Sequence, residues 1–343
     1  MGVDAEHGGV VMTSVRDRLE ASLARIADPA GEGARMSAVL VTGAAGLLGR
    51  FVVRELLANG YSVRGLDRRA GETDIEWHVG DVTDPALVAG AMNGTDAVLH
   101  IAAIPNIWSG DGQTIMRVNL LGTYTVFEAA EAAGVRRAVF CSSDSVAGYT
   151  VREGRMLPPR YAPLDLDHPL LATDPYAVSK VMGEDLARAY ALRGMSVVAL
   201  RTVFVAYPEM AAEIVARAKN PDAYKGPMAG GPSSAGGGPL HHHIDPRDLA
   251  RAFRLALELP MQPGAFERFY LSAEVTLSPE PTVRRLRRLH GDAIEIRNPE
   301  LYDRQPFAPL YDLSHAAERL GFVAEYDQRN LLAGLPGFPG ETR

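Results

Sequence analysis

Two periods of apolar spacing alternate along the chain. "AVLV" (Ala38–Val41) is a short unbroken apolar run of the kind a fully buried strand carries, and Tyr61–Leu66 reads as a second strand ending in Asp67. Between them Arg50–Ala58 spaces its apolar residues at helical intervals and Gly60 stops the helix. "HVGDVTD" (His78–Asp84) ends a third strand, "TDAVLHIAAIPN" (Thr95–Asn106) holds a fourth and "RRAVFCSSDSV" (Arg136–Val146) a fifth, with Thr114–Ala133 helical among them. Strand and helix in alternation predict an α/β fold: a Rossmann-type, doubly wound parallel sheet covered on both faces.

Beyond Leu200 the texture changes. "NPDAYKGPMAGGPSSAGGGPL" (220–240) is rich in Gly, Pro and Ser and too irregular for sheet or helix; it reads as a lid over a substrate or as a surface loop. "DPRDLARAFRLALEL" predicts a helix with Leu249, Phe253 and Leu257 turned inward, and "SPEPTVRRLRRLHG" another whose arginines form a solvated face. At the other end, Val15, Leu19, Leu23 and Ile26 share a helical face after Ser14, a plausible N-cap. This stretch reads as a surface helix, an overlong start before Met36, or a subunit-docking arm. The predicted organisation is an N-terminal extension (1–36), a nucleotide-binding core (37–203) and a smaller C-terminal α/β substrate region (204–343) interwoven with that core.

Composition narrows the field. With 343 residues, 47% hydrophobic and 22% charged, the chain has the make-up of an ordinary globular protein. A formal net charge of −7 argues against a nucleic-acid partner, and no apolar run is long enough for a membrane span. The one cysteine, Cys141, cannot form an intramolecular disulfide; it reads as a buried strand residue, and the chain as cytoplasmic.

The chemistry starts between the first strand and first helix. Gly43, Gly46 and Gly49 stand at GxxGxxG spacing, bracketed by strand, helix and strand, with Asp67 about twenty residues on. Glycines let the backbone turn tightly against a pyrophosphate, and the helix N-terminus offers N–H groups and its positive dipole end to the anion. Ala45, Leu47 and Leu48 complete that loop. Asp67 is placed to accept from the adenosine ribose hydroxyls and would repel a 2′-phosphate, so the reading is NAD rather than NADP; Arg68 and Arg69 beside it pull the other way. Asp81, Val82, Ala102 and Ala103 fall at later strand ends, on the same side of the sheet.

The glycine spacing, the serine at the end of the fifth strand, and "TDPYAVSK" resemble the extended short-chain dehydrogenase/reductase family, and within it the NAD-dependent epimerase/dehydratase group. "DVTD", "HIAA", "VNLLGTYTVFEAA", "IDPRDLARAF" and "YDLSHAAERLGF" extend the likeness from about Ser37 to about Tyr326. The resemblance implies that Tyr176 exchanges a proton with a substrate alcohol while hydride moves to or from nicotinamide. Lys180 would favour the phenolate of a tyrosine whose unperturbed pKa is near ~10. It implies that Ser143 hydrogen-bonds the reacting oxygen and that Asn119 supports Lys180 through water. A homodimer is implied by resemblance only.

Departures from the family bear on substrate. Dehydratases of the group carry Thr-Asp-Glu where this chain has Ser143, Asp144 and Ser145, which disfavours dehydration; Asp144 binds a substrate hydroxyl or nearby backbone in this reading, with Ser145 a second hydroxyl. Arg201 matches the epimerases' arginine, but Phe204 and Tyr207 replace their asparagine and glycine, and a histidine near His241 replaces the diphosphate-binding arginine. Lys225, Arg251 or Arg254 could restore that charge. Trp108, on the loop after the fourth strand, packs over substrate or within its own loop. Of His241–His243, alternate residues share a face; they read as solvent- or substrate-facing, with no metal. The expected partner is a small sugar-like molecule without a nucleotide: free sugar, sugar acid or cyclitol. The expected activity is NAD-dependent dehydrogenation. The alternatives are a redox-neutral epimerase and a non-catalytic NAD sensor.

Overall fold

The computed structural model describes residues 38–107, 109–148, 157–219, 227–228, 231–232, 242–335 and 338. The N-terminal extension, Trp108, His241, Lys225 and nearly all of 220–240 lie outside them. Within 220–240, Pro227–Met228 and Gly231–Pro232 pair as a short antiparallel ladder, where no regular structure was expected.

Seven parallel strands form the central sheet: β1 (Ala38–Thr42), β2 (Ser62–Asp67), β3 (Glu76–Val79), β4 (Ala97–His100), β5 (Arg137–Ser143), β6 (Ser196–Thr202) and β7 (Phe266–Leu271). Their order is β7-β6-β5-β4-β1-β2-β3, which reverses direction at β1 and β4. Val39, Leu40 and Val41, fully buried, explain the unbroken apolar run: both faces of β1 are covered. The principal helices are α1 (Gly49–Ala58), α2 (Pro85–Met92), α3 (Gly122–Ala132), α4 (Pro175–Leu192) and α5 (Pro246–Glu258).

Several expected boundaries move. The third strand stops at Val79, short of Asp84, because Asp84 caps α2 by accepting from Ala86 and Leu87. The fifth ends at Ser143, and Asp144–Ala147 coils into a 3₁₀ turn. The helix expected over 114–133 has three parts, Gly112–Met116, a π-helical turn Arg117–Leu121, and α3. On α5, Leu249, Phe253 and Leu257 are fully buried as the spacing predicts, each stabilising the fold by about 1.5–3 kcal/mol. In Thr282–His290 the arginines divide: Arg284 and Arg288 face solvent, whereas Arg285 is 2% exposed, so the solvated face is incomplete. Strand β7 returns residues 266–271 to the sheet beside β6, so the chain after 204 builds core as well as its own region.

Candidate functional site

The glycine loop joins β1 to α1 by close backbone contacts. Gly43 has φ +73°, and a Cβ there would come within 2.8 Å of the Ala102 nitrogen; one on Gly49 would lie 2.0 Å from the Gly43 carbonyl. No side chain caps α1; within its first turn the Arg50 and Phe51 N–H groups donate to the Gly46 and Leu48 carbonyls, so the helix start winds directly out of the glycine loop at the strand ends. Asp67 closes the crevice at the end of β2, where Oδ2 accepts the Ala45 N–H at 3.0 Å. Leu48 is buried beneath the loop and Leu47 is 46% exposed above it. Across the switch point Ala102 donates its N–H to Thr42 Oγ1 at 3.2 Å, and Ala103 follows, half-buried. Asp81 accepts from the Thr83 hydroxyl and N–H, which holds its carboxyl below the usual range, and lies 4.0 Å from Arg117. Val82 packs against Gly122. The glycine cradle, the uncapped helix start and the acid at the end of β2 fit a dinucleotide. Arg68 is exposed beside Asp67.

Helix α4 brings in the next group. Asp174 caps it by accepting from the Ala177 N–H at 2.9 Å and Pro175 occupies its first turn, which sets Tyr176 and Lys180 one turn apart. Gly183 lets the helix close on β5: a Cβ there would meet the Phe140 ring at 2.5 Å. Lys180, 4% exposed, donates to the Cys141 carbonyl at 2.7 Å, and its ammonium sits 5.7 Å from the Tyr176 ring centre. Burial lowers the Lys180 pKa and raises that of Tyr176, with Ser143 opposing the latter rise. The protein groups alone therefore do not produce the expected lowering at Tyr176, because desolvation outweighs its neighbours. Cys141 is buried and its thiol is pushed up by burial.

Ser143 ends β5, accepting the Ser145 N–H at 3.1 Å and donating to Asp144 Oδ1 at 3.2 Å. Ser145 is buried and its hydroxyl has no hydrogen-bond partner among the described residues. Asp144 Oδ2 accepts from the Tyr311 hydroxyl at 2.8 Å, and burial pushes the carboxyl up to about 6. Asn119, buried in the π-helical turn, bonds both backbone groups of Ile104, at 2.7 and 3.0 Å, and donates to Ser179 Oγ at 3.1 Å. It thus ties the loop after β4 to α4 through Ser179, one residue before Lys180.

Other expectations give way. Arg201 does not face a substrate: fully buried, it forms a two-point ion pair with Glu184 and donates to the Tyr270 hydroxyl at 3.0 Å. Ser142, Arg201 and Tyr270 are register partners on β5, β6 and β7, so they share one face beneath α4, and Ser142 also donates to Glu184, at 2.6 Å. Phe204 pairs with His243 in a two-residue ladder and packs partly buried against Met210 and its neighbours. Arg251 is taken by Asp248 and Arg254 by Glu55 and Glu258, which removes both as spare cations. His242 and His243 are buried, not solvent- or substrate-facing: His242 accepts the Leu310 N–H at 2.8 Å, and burial depresses both imidazoles to about 3. Sequence reasoning missed Glu184 and Tyr311. Glu184 carried a signal, four residues after Lys180 on one helical face; Tyr311 carried none.

Comparison with known proteins agrees with this geometry. The family model described as the NAD dependent epimerase/dehydratase family matches residues 39–270. L-arabinose 1-dehydrogenase (NAD(P)(+)) of Haloferax volcanii is 36% identical over 176 residues, 48% of this chain and 66% of that protein. UDP-glucose 4-epimerase of Bacillus subtilis is 32% identical over 170 residues, 44% of this chain and 47% of that one. Each match spans less than two thirds of the relative's length. A solved short-chain dehydrogenase/reductase superfamily protein of Agrobacterium tumefaciens, with bound NAD, superposes with a TM-score of 0.63 at 29% identity, covering 86% of this chain and 94% of that one. The family match takes in the glycine loop, Asp67, Ser143, Tyr176 and Lys180, and the chain belongs to the NAD-dependent epimerase/dehydratase family, an enzyme of that oxidoreductase type with NAD as its cofactor.

Proposed function

We propose that the chain is a dehydrogenase acting on a secondary alcohol carbon of a sugar-like substrate without a nucleotide: a free sugar, sugar acid or cyclitol. The observation that carries this reading is the convergence of Ser143 from β5 with Tyr176 and Lys180 from α4: Ser143 lies within hydrogen-bond reach of the Tyr176 hydroxyl and Lys180 holds the Cys141 carbonyl of the same strand, at the strand ends that also carry the glycine loop. Bound NAD supplies the hydride acceptor. Tyr176 takes the hydroxyl proton, Ser143 donates to the same oxygen, and the Lys180 ammonium favours the phenolate form against the burial that opposes it. Asn119 keeps the loop after β4 and α4 at fixed separation. Asp67 holds the ribose, and the loop from Gly43 to Gly49 the pyrophosphate.

Absence of a nucleotide handle is supported by chemistry. Arg201, Arg251 and Arg254 are spent on Glu184, Asp248, Glu55 and Glu258, leaving none of the three for a diphosphate. The arabinose-oxidising relative points the same way. A redox-neutral epimerase is the second reading, favoured by the similarity to the Bacillus subtilis epimerase. We further assign the substrate region to residues after 204, interwoven with the core, and a cytoplasmic setting consistent with the lone buried Cys141. No described helix is long and apolar enough to cross a membrane. A homodimer through α3 and α4 fits the exposed Leu121, Tyr124 and Met182 on or beside those helices.

Purified protein with NAD and a panel of free sugars, sugar acids and cyclitols tests the reading through the absorbance of NADH. Steady NADH formation with one compound supports it. Silence across the panel together with a stereoisomer on chromatography would mean an epimerase instead.

A further inference from the structure

The hydroxyl that holds Asp144 comes from a residue 167 positions away. Tyr311 is 1% exposed, its ring stacked on Tyr270 at 4.7 Å and set against His242 at 4.8 Å. Its chain neighbours are pinned as well: Leu164 donates its N–H to the Leu310 carbonyl and accepts from the Asp312 N–H, both at 2.7 Å. The ring has no room to swing, so its O–H is fixed on Asp144 Oδ2.

Asp144 uses its other oxygen to accept the Ser143 proton. A serine hydroxyl has one proton to give. While that proton points at Asp144, Ser143 offers the crevice only lone pairs, yet an oxygen gaining negative charge needs a donor. We propose that Tyr311 is a positioning residue of the hydride-transfer site: by donating to Asp144 it sets how firmly Asp144 holds the Ser143 proton, and so whether Ser143 can donate to the substrate oxygen. This rests on the reading of Ser143 given above.

The electrostatics fit. Burial raises the Asp144 carboxyl to about 6, and the hydrogen bonds from Tyr311 and Ser143 work against that rise. Among the described residues, the other titratable groups facing it are Tyr176 of α4 and Tyr270 of β7, both raised by burial and therefore neutral, and, behind Tyr311, His242, depressed to about 3 and also neutral. Between pH 5 and 8 Asp144 is the group in this cluster that changes charge. When it takes a proton from solvent it stops competing for that of Ser143; when ionised it depends on Tyr311 to share its charge.

The test needs no substrate. In NAD-bound, full-length protein carrying ¹³C-carboxyl aspartate, the Asp144 resonance is the one lost in Asp144→Asn. We expect a midpoint near pH 6. Tyr311→Phe, which keeps the ring, should raise it by about half a unit or more, as should Ser143→Ala. In unmutated protein with ¹³Cζ-tyrosine, the Tyr311 signal should move with the same midpoint. A midpoint unchanged in either variant, or a Tyr311 signal flat through that range, overturns the proposal. Failure of the sugar panel, by contrast, would leave these titrations as they stand.

Discussion

Arg201 and Glu184 meet as a two-point ion pair inside the protein, Nε to Oε1 at 2.8 Å and Nη2 to Oε2 at 2.7 Å. The pair clamps α4 onto β6 one turn beyond Lys180, and Ser142 and Tyr270 satisfy further positions around it. Removing one partner strands a charge where water cannot reach. Glu184→Gln should therefore destabilise by about 3–5 kcal/mol, whereas the apolar double replacement Glu184→Leu with Arg201→Met should cost much less. Urea unfolding of the three proteins measures this. Equal losses in single and double variants would mean that the pair is not the source of the stability.

Tyr176→Phe removes one oxygen and little volume. The loss of acid–base exchange should lower turnover by about 10²–10⁴-fold while NAD affinity stays close to that of the parent. Calorimetry with NAD beside the NADH assay separates the two effects. Full activity in the variant would refute the assigned role.

Asp67 both braces the Ala45 N–H and stands where a ribose would meet it. Asp67→Asn retains an acceptor oxygen but loses the charge. A charge-assisted hydrogen bond is worth about 1.5–3 kcal/mol, so NAD should bind roughly tenfold or more weakly, with NADP gaining relative to it. An unmoved NAD/NADP ratio would leave Asp67 as a brace of the loop alone.

Three histidines, His100, His242 and His243, are held neutral by burial, each depressed to about 3. In the unfolded chain each takes up a proton as pH falls below its ordinary value near 6.5. Their contribution to stability is therefore complete above about 6.5 and is lost as pH falls toward about 3. From pH 6.5 to 5 that is up to about 2 kcal/mol per histidine. His243 is the instructive one, since neither ring nitrogen has a hydrogen-bond partner among the described residues. His243→Phe should be neutral or stabilising at pH 8 and should lose less stability between pH 8 and pH 5 than the parent. Thermal unfolding at the two pH values decides; an unchanged acid sensitivity would show that His243 finds a way to protonate without unfolding.

Much of this protein is written in short-range pattern. The apolar run at Ala38–Val41, the glycine spacing and the Tyr176–Lys180 interval needed only local geometry: a strand buried on both faces, a turn without Cβ atoms, one helical turn. Those features set the sheet, the glycine loop and the helix that carries Tyr176 and Lys180. Residue type alone could not say which way a polar side chain would turn. Arg201 looked like a substrate ligand, and register with Ser142 and Tyr270 buried it beneath α4 instead. The histidines looked exposed, but their ladder with Phe204 and the packing of Tyr311 enclosed them. Tyr311 reaches Asp144 only because the segment around Leu310 docks on Leu164. Such contacts join residues far apart in the chain, and no local periodicity encodes them. The sequence by itself determined where the cofactor loop and the tyrosine lie; folding decided which charges surround them, because burial and pairing are properties of the packed whole.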